Sequence, residues 1–365
     1  MSRLLSPLTL RATTFRNRAW VAAMCQYSSA EGLPSDWHLV HLGARAAGGA
    51  GLVLTEATAV TAEGRISPAD AGIWTDEQAA AYRRITAFIA GQGAVPGIQL
   101  AHAGRKASTR RPWEGTGYVE PADGGWQTVA PSPLGYADRP APKELSIAEI
   151  TDVVQAFKEA AGRADTAGFE VAEVHAAHGY LLHQFLSPLS NQRADGYGGD
   201  LEGRSRIVVE VVDAVRSVWP EHKPLFVRFS ATDWADGGWT LAETVELSRR
   251  LAGHGVDLID VSSGGLTPAQ QIDLGPGYQV PFARAVREGS GLPTGAVGLI
   301  TEPVQAEQVL VEGSADAVLL ARELLRDPNW ALRAQHELDG ADSGSRAGSG
   351  SATAWPAQYQ RAAWR

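Results

Sequence analysis

Two imidazoles and a phenol stand close together in the segment His175-Ala176-Ala177-His178-Gly179-Tyr180. Imidazole N–H groups aimed at one oxygen can stabilise the negative charge that develops on a carbonyl substrate. A phenol, with an ordinary pKa of about 10, can then deliver a proton. A metal site would need a third protein ligand. His102 could serve, but no His-Glu-x-x-His or similar pattern accompanies it. A hydrogen-bonded structural pair would show the same spacing. The residues by themselves leave the carbonyl clamp, the metal site and the structural pair all open.

Other residues invite the same question. Cys25 is the only cysteine. It could be a nucleophile, a cofactor contact or a small core residue, and a lone cysteine is most often buried and inert. Taken alone, it reads as core. Arg228 interrupts the apolar stretch Leu225–Phe229. A charge there needs either a bound anion or a structural ion-pair partner. Gly298 opens a helical stretch, and Ala321-Arg322 ends an apolar one.

These side chains need a scaffold, and the chain supplies a repeating one. Short apolar runs at Trp20–Met24, Leu52–Thr55, Pro96–Leu100, Phe169–Val174, Leu225–Phe229, Leu258–Ser262, Gly295–Gly298 and Ala317–Leu320 read as buried parallel strands. Helical patterns follow them. Ser146 with Glu149, Thr240 with Glu243 and Thr75 with Gln78 have capping-box spacing. Alternating strands and helices favour a closed barrel or a doubly wound sheet. The turn after Met24, Cys25-Gln26-Tyr27-Ser28, lacks the Gly-x-Gly-x-x-Gly of a dinucleotide-binding sheet. The fold class predicted is α/β, a single (β/α)8 TIM barrel over residues 1–339. Long loops follow strands 3 and 4, at 103–143 and 179–203, and 340–365 form a linker and C-terminal arm.

The barrel orders the candidates. Cys25 and Tyr27 follow the first strand, and Gln99 and His102 lie at the third. His175, His178 and Tyr180 follow the fourth, and Arg228 lies on the fifth. Ser262 to Gly265 follow the sixth, Gly298 ends the seventh, and Arg322 ends the eighth. All fall on the C-terminal rim, where a barrel keeps its active site. Loops after strands 7 and 8 commonly bind phosphate, and Arg322 adds a bidentate donor. Barrels that bind phosphorylated substrates share those features.

Composition narrows the class. The 365 residues carry 32 basic and 41 acidic side chains, a net charge of −9, which argues against nucleic acid as a partner. One cysteine allows no intramolecular disulfide and no Cys-held cluster. No signal peptide and no membrane span is expected, and a cytoplasmic setting fits.

The chain resembles the Old Yellow Enzyme family of NADH:flavin oxidoreductases, especially its thermophilic-like bacterial branch. The resemblance rests on Gln99-Leu100-Ala101-His102-Ala103-Gly104-Arg105-Lys106, on His175 to Tyr180, and on Phe185-Leu186-Ser187-Pro188-Leu189-Ser190-Asn191-Gln192-Arg193. Asp195-Gly196-Tyr197-Gly198-Gly199 and Ala321-Arg322-Glu323-Leu324-Leu325 extend it. It implies a non-covalent FMN contacted by Ala22, Ala23, Met24, Cys25, Ala57, Gln99 and Arg228. Its phosphate would be held by Ala321 and Arg322, with Gly298 nearby. Cys25 would then sit beside the flavin, against the core reading. His175 and His178, helped by Tyr27, would bind the carbonyl of an α,β-unsaturated compound, and Tyr180 would be the proton donor. NADPH or NADH would supply hydride in a ping-pong cycle. Tyr359-Gln360-Arg361 resembles a segment that enters the neighbouring subunit's site, which implies a homodimer with Arg361 as a finger in trans.

The sequence departs from the family's usual Ser/Ala-Pro-Met-Cys, reading Ala22-Ala23-Met24-Cys25. One flavin contact is then expected from backbone alone. Gln26, Trp113 and Trp126 leave the pocket's shape open. The competing functions are cluster-bearing barrel reductases, which the single cysteine opposes, a metal-dependent hydrolase on His102, His175 and His178, and a non-catalytic flavin carrier.

Overall fold

The computed structural model describes residues 2–341, 355–362 and 364. Eight strands, β1 (Ala19–Val21), β2 (Leu52–Ala59), β3 (Val95–Ala101), β4 (Val171–Ala176), β5 (Leu225–Ser230), β6 (Leu258–Ser262), β7 (Thr294–Ala296) and β8 (Ala317–Leu320), form one closed barrel. Each pairs in parallel with the next, and β8 returns to β1 through Leu319 opposite Trp20. The longer helices are α1 (Asp36–Ala47), α2 (Asp76–Gly91), α3 (Ile147–Thr166), α4 (Leu201–Arg216), α5 (Leu241–Ala252), α6 (Val280–Ser290), α7 (Pro303–Val311) and α8 (Trp330–Ala341). The expected (β/α)8 barrel is therefore the fold.

The three anticipated capping boxes are formed at α2, α3 and α5, where Thr75, Ser146 and Thr240 accept from the N–H of Gln78, Glu149 and Glu243. Ser35 caps α1 in the same way, with the His38 ring accepting its backbone N–H at 2.9 Å. Histidine there falls outside the Glu/Gln pattern that sequence reading looks for.

Successive strand side chains point to opposite faces, and the two faces here hold different chemistry. Outward residues such as Val174, Val227, Phe229, Ile259 and Val261 pack against the helices. Inward residues near the N-terminal end are apolar: Trp20, Leu52, Leu54, Val171, Phe226, Leu258 and Leu319 make a separate lumen cluster. An N-terminal hairpin, Leu8–Leu10 with Thr13–Phe15, plugs that end. Phe15 lies 4.6 Å from Trp20 between ring centroids, and Trp20 stacks on Phe226 at 5.9 Å. Closing this end with aromatics leaves the opposite mouth for polar side chains.

Strand limits differ from the sequence expectation in two useful places. The first strand ends at Val21, because β1 pairs with β2 only at Val21 opposite Val53. Residues 22–25 lie beyond the strand end. The fourth strand runs on to Ala176, so His175 lies on it rather than after it, paired with Arg228. Helix α8 runs to Ala341, and the linker expected beyond it lies outside the described residues. Among the described residues no helix is long and apolar enough to cross a membrane.

Candidate functional site

The upper lumen is a polar floor set by strand register. Glu173 is opposite Gln99, His175 opposite Arg228, Arg228 opposite Asp260, and Ser230 opposite Ser262. Arg228 Nε lies 3.0 Å from Asp260 Oδ2, and Gln99 Nε2 donates to Glu173 Oε1 at 2.8 Å. All four side chains are buried. Burial, and then the Asp260 charge, push the Glu173 carboxyl up to about 8, against the pull of Arg228 and Gln99. Burial also raises Asp260, with Arg228 opposing. Of the two readings of Arg228, the ion pair is present. The Arg228 side chain makes no hydrogen bond to another described residue, so its remaining donors can serve a ligand.

Above the floor, the two histidines meet. His175 Nε2 and His178 Nδ1 lie 3.3 Å apart, and the ring of His175 is 5.1 Å from that of Tyr180, edge to face. His178 follows β4 in a left-handed conformation, φ +58°, strained for a residue with a Cβ. Its surroundings enforce that geometry. His178 N–H donates to Ser230 Oγ at 2.9 Å, and Lys106 Nζ donates to His178 O and Gly265 O, each at 2.8 Å. Gly179 must be glycine, since φ is +72° and a Cβ would lie 2.2 Å from Gly265 O. Burial first, and then Arg228, hold both imidazoles well below the usual histidine range, so they are neutral donors near pH 7.

Tyr180 caps the short helix Leu181–Leu186 and joins Cys25, Tyr27 and Trp126 around Ala57, Ile66, Ala101, Ala103 and Ala107. Burial, then Cys25 and Tyr27, raise its phenol, which keeps its proton at neutral pH. Cys25 is half-buried at this rim rather than sealed in the core. Burial, then Asp70 and Glu56, push its thiol up, so it is a thiol and not a thiolate. Tyr27, at φ +51°, stands edge-on to Trp113 with centroids 5.8 Å apart. Ala22, Ala23 and Ala321 cap the apolar lumen cluster, and Ala22 N–H donates to Leu320 O at 3.0 Å. Met24 packs towards the outer core, and its carbonyl accepts from Gln26 Nε2 at 2.8 Å.

Across the mouth, Gly298 has φ +125°, and a Cβ there would lie 2.9 Å from Gln279 Nε2 and 3.1 Å from Tyr278. Arg322 begins the short helix Arg322–Arg326, and its side chain forms no hydrogen bond or ion pair with another described residue. A guanidinium without a side-chain partner and a glycine whose φ strains any side chain are a donor set that suits a phosphate. The free guanidinium edge of Arg228, the thiol of Cys25 and the backbone of residues 22–25 beyond the strand end suit the polar edge of a flavin ring. The donor set therefore fits FMN.

Arg361 is exposed on the turn Ala357–Ala362, and Trp364 stacks on His336 of α8 with centroids 5.0 Å apart. His102 does not join the other histidines: its Nδ1 accepts Gly104 N–H at 3.1 Å. Among the described residues no three His, Cys, Asp or Glu side chains are grouped to hold a metal. Glu173, Asp260 and Lys106 carry no role in the sequence reading. The two carboxylates lie two residues from His175 and Ser262 on inward-facing strand positions, so period-two counting finds them. Lys106 lies on an irregular loop, where no period helps.

A profile of the NADH:flavin oxidoreductase / NADH oxidase family matches residues 3–340. The chain is 47% identical over 365 residues to an NADPH dehydrogenase of Geobacillus thermodenitrificans, covering 99% of this chain and 98% of that one. Morphinone reductase in complex with tetrahydroNAD superimposes with a TM-score of 0.78 at 27% identity, covering 92% of this chain and 90% of that one. A 2-naphthoyl-CoA reductase in complex with 2-naphthoyl-CoA gives 0.83 at 25% identity, over 93% of this chain but only 52% of that longer one.

Proposed function

Because the chain belongs to the NADH:flavin oxidoreductase / NADH oxidase family, we propose that this FMN- and nicotinamide-dependent oxidoreductase reduces the activated C=C bond of α,β-unsaturated carbonyl compounds. The observation that carries the reading is the convergence of His175 Nε2 and His178 Nδ1, 3.3 Å apart, beside the Tyr180 ring.

Bound FMN supplies hydride transfer between the nicotinamide donor and the substrate. Ala22, Ala23, Cys25, Ala57, Gln99 and Arg228, with Met24 through its backbone, would line its ring, and Gly298, Ala321 and Arg322 would receive its phosphate. The chain's own residues do the rest. His175 and His178, with Tyr27 alongside, donate to the substrate carbonyl and stabilise the charge that builds on it as the β-carbon is reduced. Tyr180 gives its proton to the α-carbon. Neutral imidazoles suit the first task, and a phenol that holds its proton suits the second. The exposed Arg361 turn is the segment that would reach a second copy's mouth in a homodimer.

The test is spectroscopic. Purified protein should show flavin absorbance that NADPH bleaches and cyclohexenone restores. Tyr180→Phe should still be bleached, but restored far more slowly. Restoration at the wild-type rate would remove Tyr180 from the reaction.

A further inference from the structure

We infer that Ser262 sets the tautomer of His178, placing the single imidazole proton on Nδ1, the nitrogen that faces the substrate carbonyl. The inference rests on the reading of His175 and His178 as a carbonyl clamp, and it says which residue makes that clamp able to donate.

A neutral imidazole carries one N–H and one lone pair, so a ring that must donate from one nitrogen has to accept at the other. The two nitrogens of His178 have different neighbours. Nδ1 faces His175 Nε2 at 3.3 Å, and Nε2 faces Ser262 Oγ at 2.7 Å. The question becomes where the one hydroxyl proton of Ser262 goes. Its possible acceptors are His178 Nε2 at 2.7 Å and Gln279 Oε1 at 3.4 Å. Gln279 Oε1 already accepts from Ser263 Oγ at 2.6 Å, and its Nε2 donates to Val297 O at 3.0 Å, which fixes the amide orientation. A bond at 3.4 Å is at the weak limit, whereas 2.7 Å is a full hydrogen bond to an unprotonated nitrogen. Ser262 therefore donates to Nε2, and Nδ1 keeps the proton.

The backbone supports the same arrangement. Ser262 ends β6 opposite Ser230. Ser230 Oγ accepts His178 N–H at 2.9 Å and donates to Gly264 O at 2.8 Å. One serine fixes where the His178 turn lies, and its ladder partner fixes which nitrogen of the ring is protonated. In the alternative, Ser262 would accept from Nε2–H and Nδ1 would accept from His175, which leaves Nδ1 no proton for a ligand. The crowded Gln279 oxygen makes that arrangement the poorer one.

The experiment is nitrogen NMR of the FMN-loaded full-length protein labelled at histidine, with the His178 signals identified by their loss in His178→Asn. Nδ1 should be of the protonated type and Nε2 of the unprotonated type. Ser262→Ala should shift protonation towards Nε2 and raise the KM for cyclohexenone about tenfold, the scale of one lost hydrogen bond. Ser262→Thr, which keeps the hydroxyl, should restore both. A protonated Nε2 in the wild-type protein, or an unchanged tautomer in Ser262→Ala, would overturn the inference. Should Ser262→Ala not fold, the wild-type and Ser262→Thr spectra decide it. The clamp fails separately: if His178→Ala reduces cyclohexenone normally, the clamp reading falls whatever tautomer the resting enzyme shows.

Discussion

Glu173, Arg228 and Asp260 on the floor of the mouth, and His178, Tyr180 and Lys106 on its rim, are held in place by different physics. The floor residues sit on strands, where register decides every neighbour, and the charges of Arg228 and Asp260 compensate each other in the lumen. The rim residues sit on turns. His178 is held in a sparsely populated conformation by a hydroxyl on one side and an ammonium on the other. A strand position tolerates a change of side chain without moving its backbone. A turn held by side-chain hydrogen bonds does not. Damage to the floor should alter the electronics of a properly shaped site, and damage to the rim should alter its shape.

The strongest break is His178→Ala. It removes one of two clamp donors, and loss of such a donor costs about 10²–10³ in rate. Cyclohexenone reduction should fall by that factor, measured as kcat/KM, while FMN content stays that of the wild type. Lost FMN would mean that His178 also carries the cofactor's environment. Lys106→Met comes next. It leaves the carbonyls of His178 and Gly265 unpaired, and each buried polar group left so costs about 1–3 kcal/mol. The thermal midpoint should drop by several degrees, roughly 1–2 °C per kcal/mol at this size. Enone kcat/KM should fall roughly tenfold, and Lys106→Arg should recover only part of it.

The difference between floor and rim also explains what was legible in the sequence. The eight strands announced themselves as apolar runs, because a parallel strand is covered on its outer face by helices and on its inner face by the lumen cluster. Their limits were less visible. The apolar run stops before His175, yet His175 lies on the fourth strand, since hydrogen bonding to β5 continues past that run. Glu173 and Asp260 are single polar residues inside those runs, and counting by two from His175 and Ser262 puts them on the same face. The rim was legible only as residue types. Nothing in local spacing tells that Lys106 crosses to two carbonyls, one of them at residue 265. That contact is long in sequence and depends on a loop without periodicity.

A change confined to the floor should act without changing shape. Asp260→Asn removes the compensating charge beside Arg228. The unopposed guanidinium then favours negative charge near it, so the flavin midpoint potential should rise, on the order of 30 mV for a two-electron couple, equivalent to about 1.4 kcal/mol. Spectroelectrochemistry reads this directly, and KM for the enone should change little. A fall in potential would mean that Asp260 does not oppose Arg228 in the loaded site.

The smallest effect is an expected flatness, and it tests the rim most finely. Both clamp histidines are held well below the ordinary histidine pKa of about 6.5 by burial and then Arg228, so neither changes charge as pH passes that value. Lys106 does titrate in the working range. Burial, then Arg139 and Arg105, bring its amine down to about 7. Losing a proton there leaves two N–H donors, and the two carbonyls need only two. The clasp on His178 should survive deprotonation, and the KM for cyclohexenone should stay within about twofold between roughly pH 6 and pH 8. Stability has a different dependence. Below about 6.5 the unfolded chain binds protons that the folded histidines refuse, so these two groups make the protein less stable as pH falls through that value. A KM that climbs steeply above pH 7 would show that the clasp needs the ammonium itself, which would make Lys106 a charged partner of Tyr180, 5.2 Å from its ring, rather than a brace for the backbone.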